Sequence, residues 1–244
     1  VAVVFGTYNR KPLLEQAVAS IRRSVGGLSY RILVADGGST DGSREWLAAQ
    51  PDCELLEGGL NGAVAAFNVG FARAVDLASP YVAILNDDDE LIGPQTELQR
   101  CVEIMNYDPG IGAVALEFDL YGDWRCAEWN GKPSCGKGVV RRSVLMAVAR
   151  AQGDPDGRRF WDPRWKTYAA DSAAGCWIHR LGWTVARGIG LRVHDGKPED
   201  ALMKRNKDEY RADGTVNIFM REWGHPREME YCRADAARFG GRMR

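Results

Sequence analysis

Tyr81-Val82-Ala83-Ile84-Leu85-Asn86-Asp87-Asp88-Asp89-Glu90 is the stretch on which the reading of this chain turns. Its first half is an apolar run with β-branched residues, as expected of a strand covered on both faces. Its second half sets four consecutive acids against the end of that run. On an ordinary surface such a block repels itself and is merely solvated. At a fixed strand end the carboxylates are held together, and a cation relieves their repulsion. Oxygen ligands suit Mg²⁺ or Mn²⁺, which keep coordination positions open for substrate phosphates. Asp88 is expected as a direct ligand, Asp87 as a contact to ribose or metal, and Asp89 as a replacement for either.

The same strand-then-turn pattern recurs upstream. Val1 to Phe5 is apolar and ends at Gly6-Thr7-Tyr8-Asn9-Arg10; with no basic leader before it, it reads as a strand and not a signal peptide. A helix follows, with Pro12 in its first turn and Leu14, Ala17, Val18 and Ile21 on one face. Arg31 to Ala35 is a second strand, ending in Asp36-Gly37-Gly38-Ser39-Thr40-Asp41-Gly42, where Thr40 or Asp41 can cap the next helix. Cys53 to Leu56 is a third strand, and Asn61-Gly62 opens a helix of small residues running to about Leu77. Beyond the acidic run, Leu98, Cys101, Val102 and Met105 mark another amphipathic helix, leading to a strand at Gly112 to Leu116. This alternation predicts a mostly parallel sheet with right-handed crossovers. Ligands of such sheets bind beyond the carboxyl ends of the strands, so one crevice can collect Thr7–Asn9, Asp36 and Asp87–Asp89. Taken singly, the two upstream turns read equally well as plain helix caps.

Composition narrows the function classes. The 244 residues, 45% of them hydrophobic, suffice for one large α/β domain. With 32 basic and 33 acidic residues the net charge is −1, which gives no field for nucleic acid. No apolar run reaches the length of a membrane span. Six cysteines lie scattered without a CxxC pair and are expected as small buried groups, Cys126 and Cys135 being the pair to check for a link. The default compartment is the cytoplasm, with peripheral contact at the inner face of the membrane and a homodimer both left open. Neither GxGxxG nor GxxxxGK[ST] occurs, so the phosphate loops of dehydrogenases and kinases are excluded.

Thr7-Tyr8-Asn9-Arg10, the Asp36–Gly42 turn, Asn61-Gly62 with Ala66-Phe67-Asn68-Val69-Gly70, and Asn86-Asp87-Asp88 together resemble the family 2 glycosyltransferases. The resemblance implies the GT-A fold, a Rossmann-like α/β/α sandwich, over residues 1–195. About 1–118 would form the nucleotide-sugar donor half and 119–195 the acceptor half, with 196–244 a charged extension packed on or peripheral to the same domain. It implies that Thr7, Tyr8, Asn9, Arg10, Asn61, Asn68 and Asp87 line the nucleotide pocket and that Asp36 bonds the base, as suits UDP, dTDP or GDP. Phe67 stands where relatives often carry an arginine facing the diphosphate, so compensation shifts to the metal, Arg10 or Arg73.

Downstream, a helix is expected near Val139 to Arg150. Phe160-Trp161-Asp162-Pro163-Arg164-Trp165 then leads to Tyr168-Ala169-Ala170-Asp171, similar to a segment of the rhamnosyltransferase-like members. The resemblance implies Asp171 as the base of an inverting transfer, with Ala170 replacing the usual Glu; the plainer reading of Asp171 is a helix cap. His194 is implied as a further metal ligand. Trp161, Trp165 and Tyr168 are candidates for binding a carbohydrate acceptor, in the manner of polysaccharide biosynthesis, although aromatic residues are also ordinary core material. Competing readings are a sugar-nucleotide nucleotidyltransferase, which lacks its basic glycine loop here, and a non-catalytic nucleotide-sugar module.

Overall fold

The computed structural model describes residues 1–93, 95–120, 123–129, 131–196, 200–212, 219 and 221–223. Its elements run β1 (Ala2–Thr7), α1 (Lys11–Ser24), β2 (Arg31–Asp36), α2 (Ser43–Ala48), β3 (Cys53–Glu57), α3 (Ala63–Asp76), β4 (Tyr81–Ile84), β5 (Asp89–Leu91) and α4 (Glu97–Tyr107). They continue with β6 (Ile111–Leu120), β7 (Asp123–Arg125), β8 (Glu128–Trp129), β9 (Lys132–Pro133), β10 (Gly138–Arg141), α5 (Arg142–Ala151), α6 (Ala170–Arg180), β11 (Thr184–Asp195) and α7 (Ala201–Ala212).

The main sheet has the order β3-β2-β1-β4-β10-β6-β11-β5, with β7 beside β6. β1 pairs in parallel with β2 and β4, and β2 with β3. β10 runs against both β4 and β6, and β6 is parallel to β11. The strands from β1 to β4, together with β6 and β11, therefore share one direction. Their carboxyl ends, at Thr7, Asp36, Ile84, Leu120 and Asp195, fall on one edge. The expected parallel architecture is present, curled at that edge by the antiparallel strand β5 against β11.

Burial explains the pattern. Val3, Val4, Phe5, Ile32, Leu33, Val34, Val82, Ala83 and Ile84 are fully covered, as the continuous apolar runs require. Each large aliphatic or aromatic side chain so covered contributes about 1.5–3 kcal/mol of transfer free energy. α3 packs across β1 and β2, where Gly70 lies so close to Val4 that a Cβ would collide with it.

One expectation changes and one open question closes. The helix placed from Val139 divides into strand β10 and helix α5, because Val139 and Val140 are buried between β4 and β6. Cys126 and Cys135 are free thiols, each donating to a β6 carbonyl, Ala115 and Val114 respectively. Among the described residues no helix is long and apolar enough to cross a membrane.

Candidate active site

The carboxyl edge of the sheet opens into a cleft of about 400 Å³. Thr7, Tyr8 and Arg10 enter from the β1–α1 turn, Asp87 and Asp88 from the β4–β5 turn. Trp161, Tyr168 and Asp171 form the facing wall, and Asp195 lies at the end of β11. Eight residues expected at the site, Thr7, Tyr8, Arg10, Asp87, Asp88, Trp161, Tyr168 and Asp171, are thus brought to one hollow.

The acidic run is sorted by its partners. Asp87 is buried; its carboxylate accepts from Thr7 Oγ1 at 2.8 Å and Arg10 Nη1 at 2.9 Å. Burial pushes its carboxyl up to about 6, against the opposing pull of Arg10. Asp89 is also buried, and its carboxyl is likewise pushed up to about 6 by burial, against the pull of Lys137. Asp89 Oδ2 accepts the Asn86 N–H at 2.7 Å, and Oδ1 pairs with Lys137 Nζ at 2.5 Å. Asp89 therefore holds the turn together and does not line the cleft. Asp88 does line it, and burial raises its carboxyl too, against the Lys137 and Arg10 charges.

Asp88, Asp89 and Asp195 offer carboxylate oxygens that all lie within 4.8 Å of one another. An all-oxygen, all-anionic donor set of this size fits a hard divalent cation such as Mn²⁺ or Mg²⁺. Of the three, Asp88 and Asp195 line the cleft. His194 is not among them. It is exposed on β11 opposite Glu90, and successive strand side chains point to opposite faces, so turning Asp195 inward turns His194 away.

Other expected contacts serve the frame. Asp36 is fully buried, and its carboxylate accepts from the Gly38 and Ser39 N–H groups, Ser39 Oγ and Arg44 Nη1 at 2.5–2.9 Å. Burial alone would raise its carboxyl; the Ser39 and Arg44 bonds outweigh that and hold it below the ordinary value. With its lone pairs so used, Asp36 shapes the turn and is absent from the cleft lining. Asn9, at φ 51°, accepts the Thr40 N–H at 2.7 Å and donates its own N–H to Ser39 Oγ at 2.9 Å, pinning the two turns together. Asn61 points outward, exposed between the lining residues Leu60 and Gly62. Asn68 is buried against the Trp161 backbone. Trp165 is core, 1% exposed, packed near Phe219 at 6.0 Å between ring centroids. Trp161 does line the cleft, its ring 4.3 Å from that of Phe67. Arg73 pairs with Glu54 at 2.6 Å, outside the cleft.

Asp171 is in the first turn of α6 and is not its cap, which is Ala169 at φ 69°. Burial raises its carboxyl above the ordinary range, although the Ser172 N–H and the Lys137 charge pull the other way. Gly136 lies against it so closely that a Cβ there would collide with the carboxylate.

The sequence model of glycosyl transferase family 2 matches residues 2–129, more than half of the chain. The chain belongs to glycosyl transferase family 2. It is a glycosyltransferase with the GT-A architecture. Among solved structures it is similar to the mannosyltransferase PcManGT from Pyrobaculum calidifontis, in complex with GDP-Man and Mn²⁺. The TM-score is 0.63 at 18% identity, covering 96% of this chain and 68% of that one. It is also similar to S. aureus TarS 1-349 in complex with UDP-GlcNAc, with TM-score 0.62 and 13% identity, covering 83% of this chain and 60% of that one. No curated protein matches the chain.

Three residues of this family 2 glycosyltransferase escape sequence reasoning. Lys137, just before β10, and Asp195, at the end of β11, reach the acidic group with no local pattern to announce them. Asp200 receives Arg10 Nε at 2.6 Å and Nη2 at 2.8 Å while accepting the Met203 N–H at the start of α7. That pairing docks α7, so Leu202, Met203, Arg205 and Asn206 line the cleft although they belong to the charged extension.

Proposed function

We propose that this enzyme moves a sugar from a nucleoside-diphosphate sugar to an acceptor hydroxyl with inversion, Asp171 acting as the base. The observation that carries the proposal is that Asp171 faces the same cleft as Asp88 and Asp195 from another wall. The neighbours' complexes with GDP-Man and Mn²⁺, UDP and UDP-GlcNAc support a nucleotide-sugar donor in UDP or GDP form, with dTDP as a third candidate.

In this reading Thr7 and Tyr8, with the lining residues Gly37 and Leu60, hold the nucleoside, and Arg10 faces the phosphates beside Asp87. Asp88 and Asp195 would hold a divalent ion, Mn²⁺ or Mg²⁺, whose chemistry is to neutralise the leaving nucleoside diphosphate. Asp171 takes the acceptor proton as the acceptor oxygen bonds the anomeric carbon and the bond to the phosphate oxygen breaks. A raised carboxyl suits that task, since a base nearer neutrality accepts the proton more readily. Trp161 and Tyr168 offer the flat faces against which a sugar ring packs.

The experiment is a thermal-shift screen of UDP-, dTDP- and GDP-sugars with and without Mn²⁺. A metal-dependent rise with one nucleotide supports the reading. No response to any donor would sink it.

A further inference from the structure

Lys137 is the one cation set directly between the acidic turn and β11 among the described residues. Its Nζ lies 2.5 Å from Asp89 and 3.4 Å from Asp195, with the Phe118 ring 5.5 Å away. The backbone around it is built for that position. Its carbonyl accepts the Leu116 N–H of β6 at 2.9 Å. Gly138 follows at φ 152°, where a Cβ would strike the Val114 carbonyl, and Gly136 precedes, pressed on Asp171. Only glycines permit the loop to lie so deep, and the lysine between them is carried into the carboxylate group.

Three carboxylates, two of them buried, offer oxygens within 4.8 Å of one another and repel when ionised, so a cation among them stabilises the fold. A lysine ammonium is a compact point charge on a flexible stem and can shift aside when a second cation arrives.

We propose that Lys137 is a positioning residue acting as a tethered counter-cation. It fixes Asp89 and Asp195 before a divalent ion arrives, and its like charge keeps that ion weakly bound until a nucleoside diphosphate adds negative charge. This rests on the reading that the acidic group takes a divalent ion. Metal affinity in this enzyme is then coupled to donor occupancy through one side chain.

The test titrates Mn²⁺ into metal-stripped protein, following free Mn²⁺ by electron paramagnetic resonance, with and without UDP or GDP. Wild type is compared with Lys137→Met and Lys137→Arg. Without nucleotide, Lys137→Met should bind Mn²⁺ at least about tenfold more tightly, because a like charge a few ångströms away has gone. Lys137→Arg, which keeps the charge, should stay within about threefold of wild type. Lys137→Met should also melt lower than wild type in EDTA and recover with Mn²⁺. Lys137→Gln gives the same comparison if the Met variant does not fold. Equal or weaker Mn²⁺ binding by a folded, uncharged variant overturns the proposal while the metal reading stands. If no form binds Mn²⁺ even with nucleotide, the metal reading and this inference fall together.

Discussion

The side-chain amide of Asn68 closes a pair of hydrogen bonds on the backbone of Trp161: Nδ2 donates to the carbonyl at 2.7 Å, and Oδ1 accepts the N–H at 3.1 Å. This joins α3 to the loop that forms the far wall of the cleft. Asn68 thus serves the site by fixing Trp161, and it does so from a buried position. Asn68→Ala leaves two backbone groups without partners and should destabilise the chain by about 1–3 kcal/mol in urea unfolding. Asn61→Ala, on the exposed neighbouring turn, should change stability by less than about 0.5 kcal/mol. Equal effects would mean that the Trp161 clamp is not a point of stability.

Arg10 bridges Asp87 and Asp200. Removing it strands the buried Asp87 carboxylate, so Arg10→Met should cost about 3–5 kcal/mol. Asp200→Asn leaves Arg10 its bond to Asp87 and should cost only about 1 kcal/mol. Hydrogen exchange should nonetheless quicken across α7 in Asp200→Asn and stay unchanged in α1. Unaltered exchange in α7 would show that Asp200 does not dock it.

Asp52 accepts from both Nε and Nη2 of Arg22, at 2.9 and 2.6 Å, and from Tyr30 Oη at 2.9 Å. The Arg22 bonds outweigh burial and hold its carboxyl down at about 2. In the unfolded chain an aspartate titrates near 3.9. The folded value is depressed, so the stability it brings is present above about pH 4 and is lost as pH falls toward 2. Allowing for solvent screening at this partly exposed pair, the contribution is about 1 kcal/mol, or about 2–4 °C in Tm. Asp52→Asn should lower Tm by that amount at pH 7, and the gap should close near pH 2.

Asp171 titrates in the opposite sense. Burial raises its carboxyl, so the deprotonated form that the proposed base requires is lost as pH falls through a value above the ordinary aspartate range. The acid limb of kcat/KM should lie correspondingly high. If it lay at an ordinary aspartate value, Asp171 would not be the group whose ionisation governs transfer.

How much of this was legible beforehand follows from the range of the interactions. The strands and helices of the first half are set by local apolar periodicity, and β1 to β4 emerge where Val1–Phe5, Arg31–Ala35, Cys53–Leu56 and Tyr81–Leu85 announce them. β10 was masked because Gly138–Arg141 runs directly into α5, so strand and helix form one apolar stretch. In the site, Thr7, Arg10, Asp87, Asp88 and Asp171 were visible from turn position and from family resemblance. Lys137 and Asp195 were not, because their meeting with Asp89 depends on how β10 and β11 register with β4–β6 and β5. His194 lies outside the acidic group for a related reason. One residue along a strand reverses the face, and Asp195 holds the inward position.

Inversion through Asp171 is tested most directly by proton NMR of the sugar released during slow donor hydrolysis with Mn²⁺, read before mutarotation, for wild type and Asp171→Asn. The first sugar to appear should have the anomeric configuration opposite to the donor's. Asp171→Asn should release essentially none while still binding the nucleotide. A first product with the donor's own configuration, or undiminished release by Asp171→Asn, would contradict inversion through Asp171.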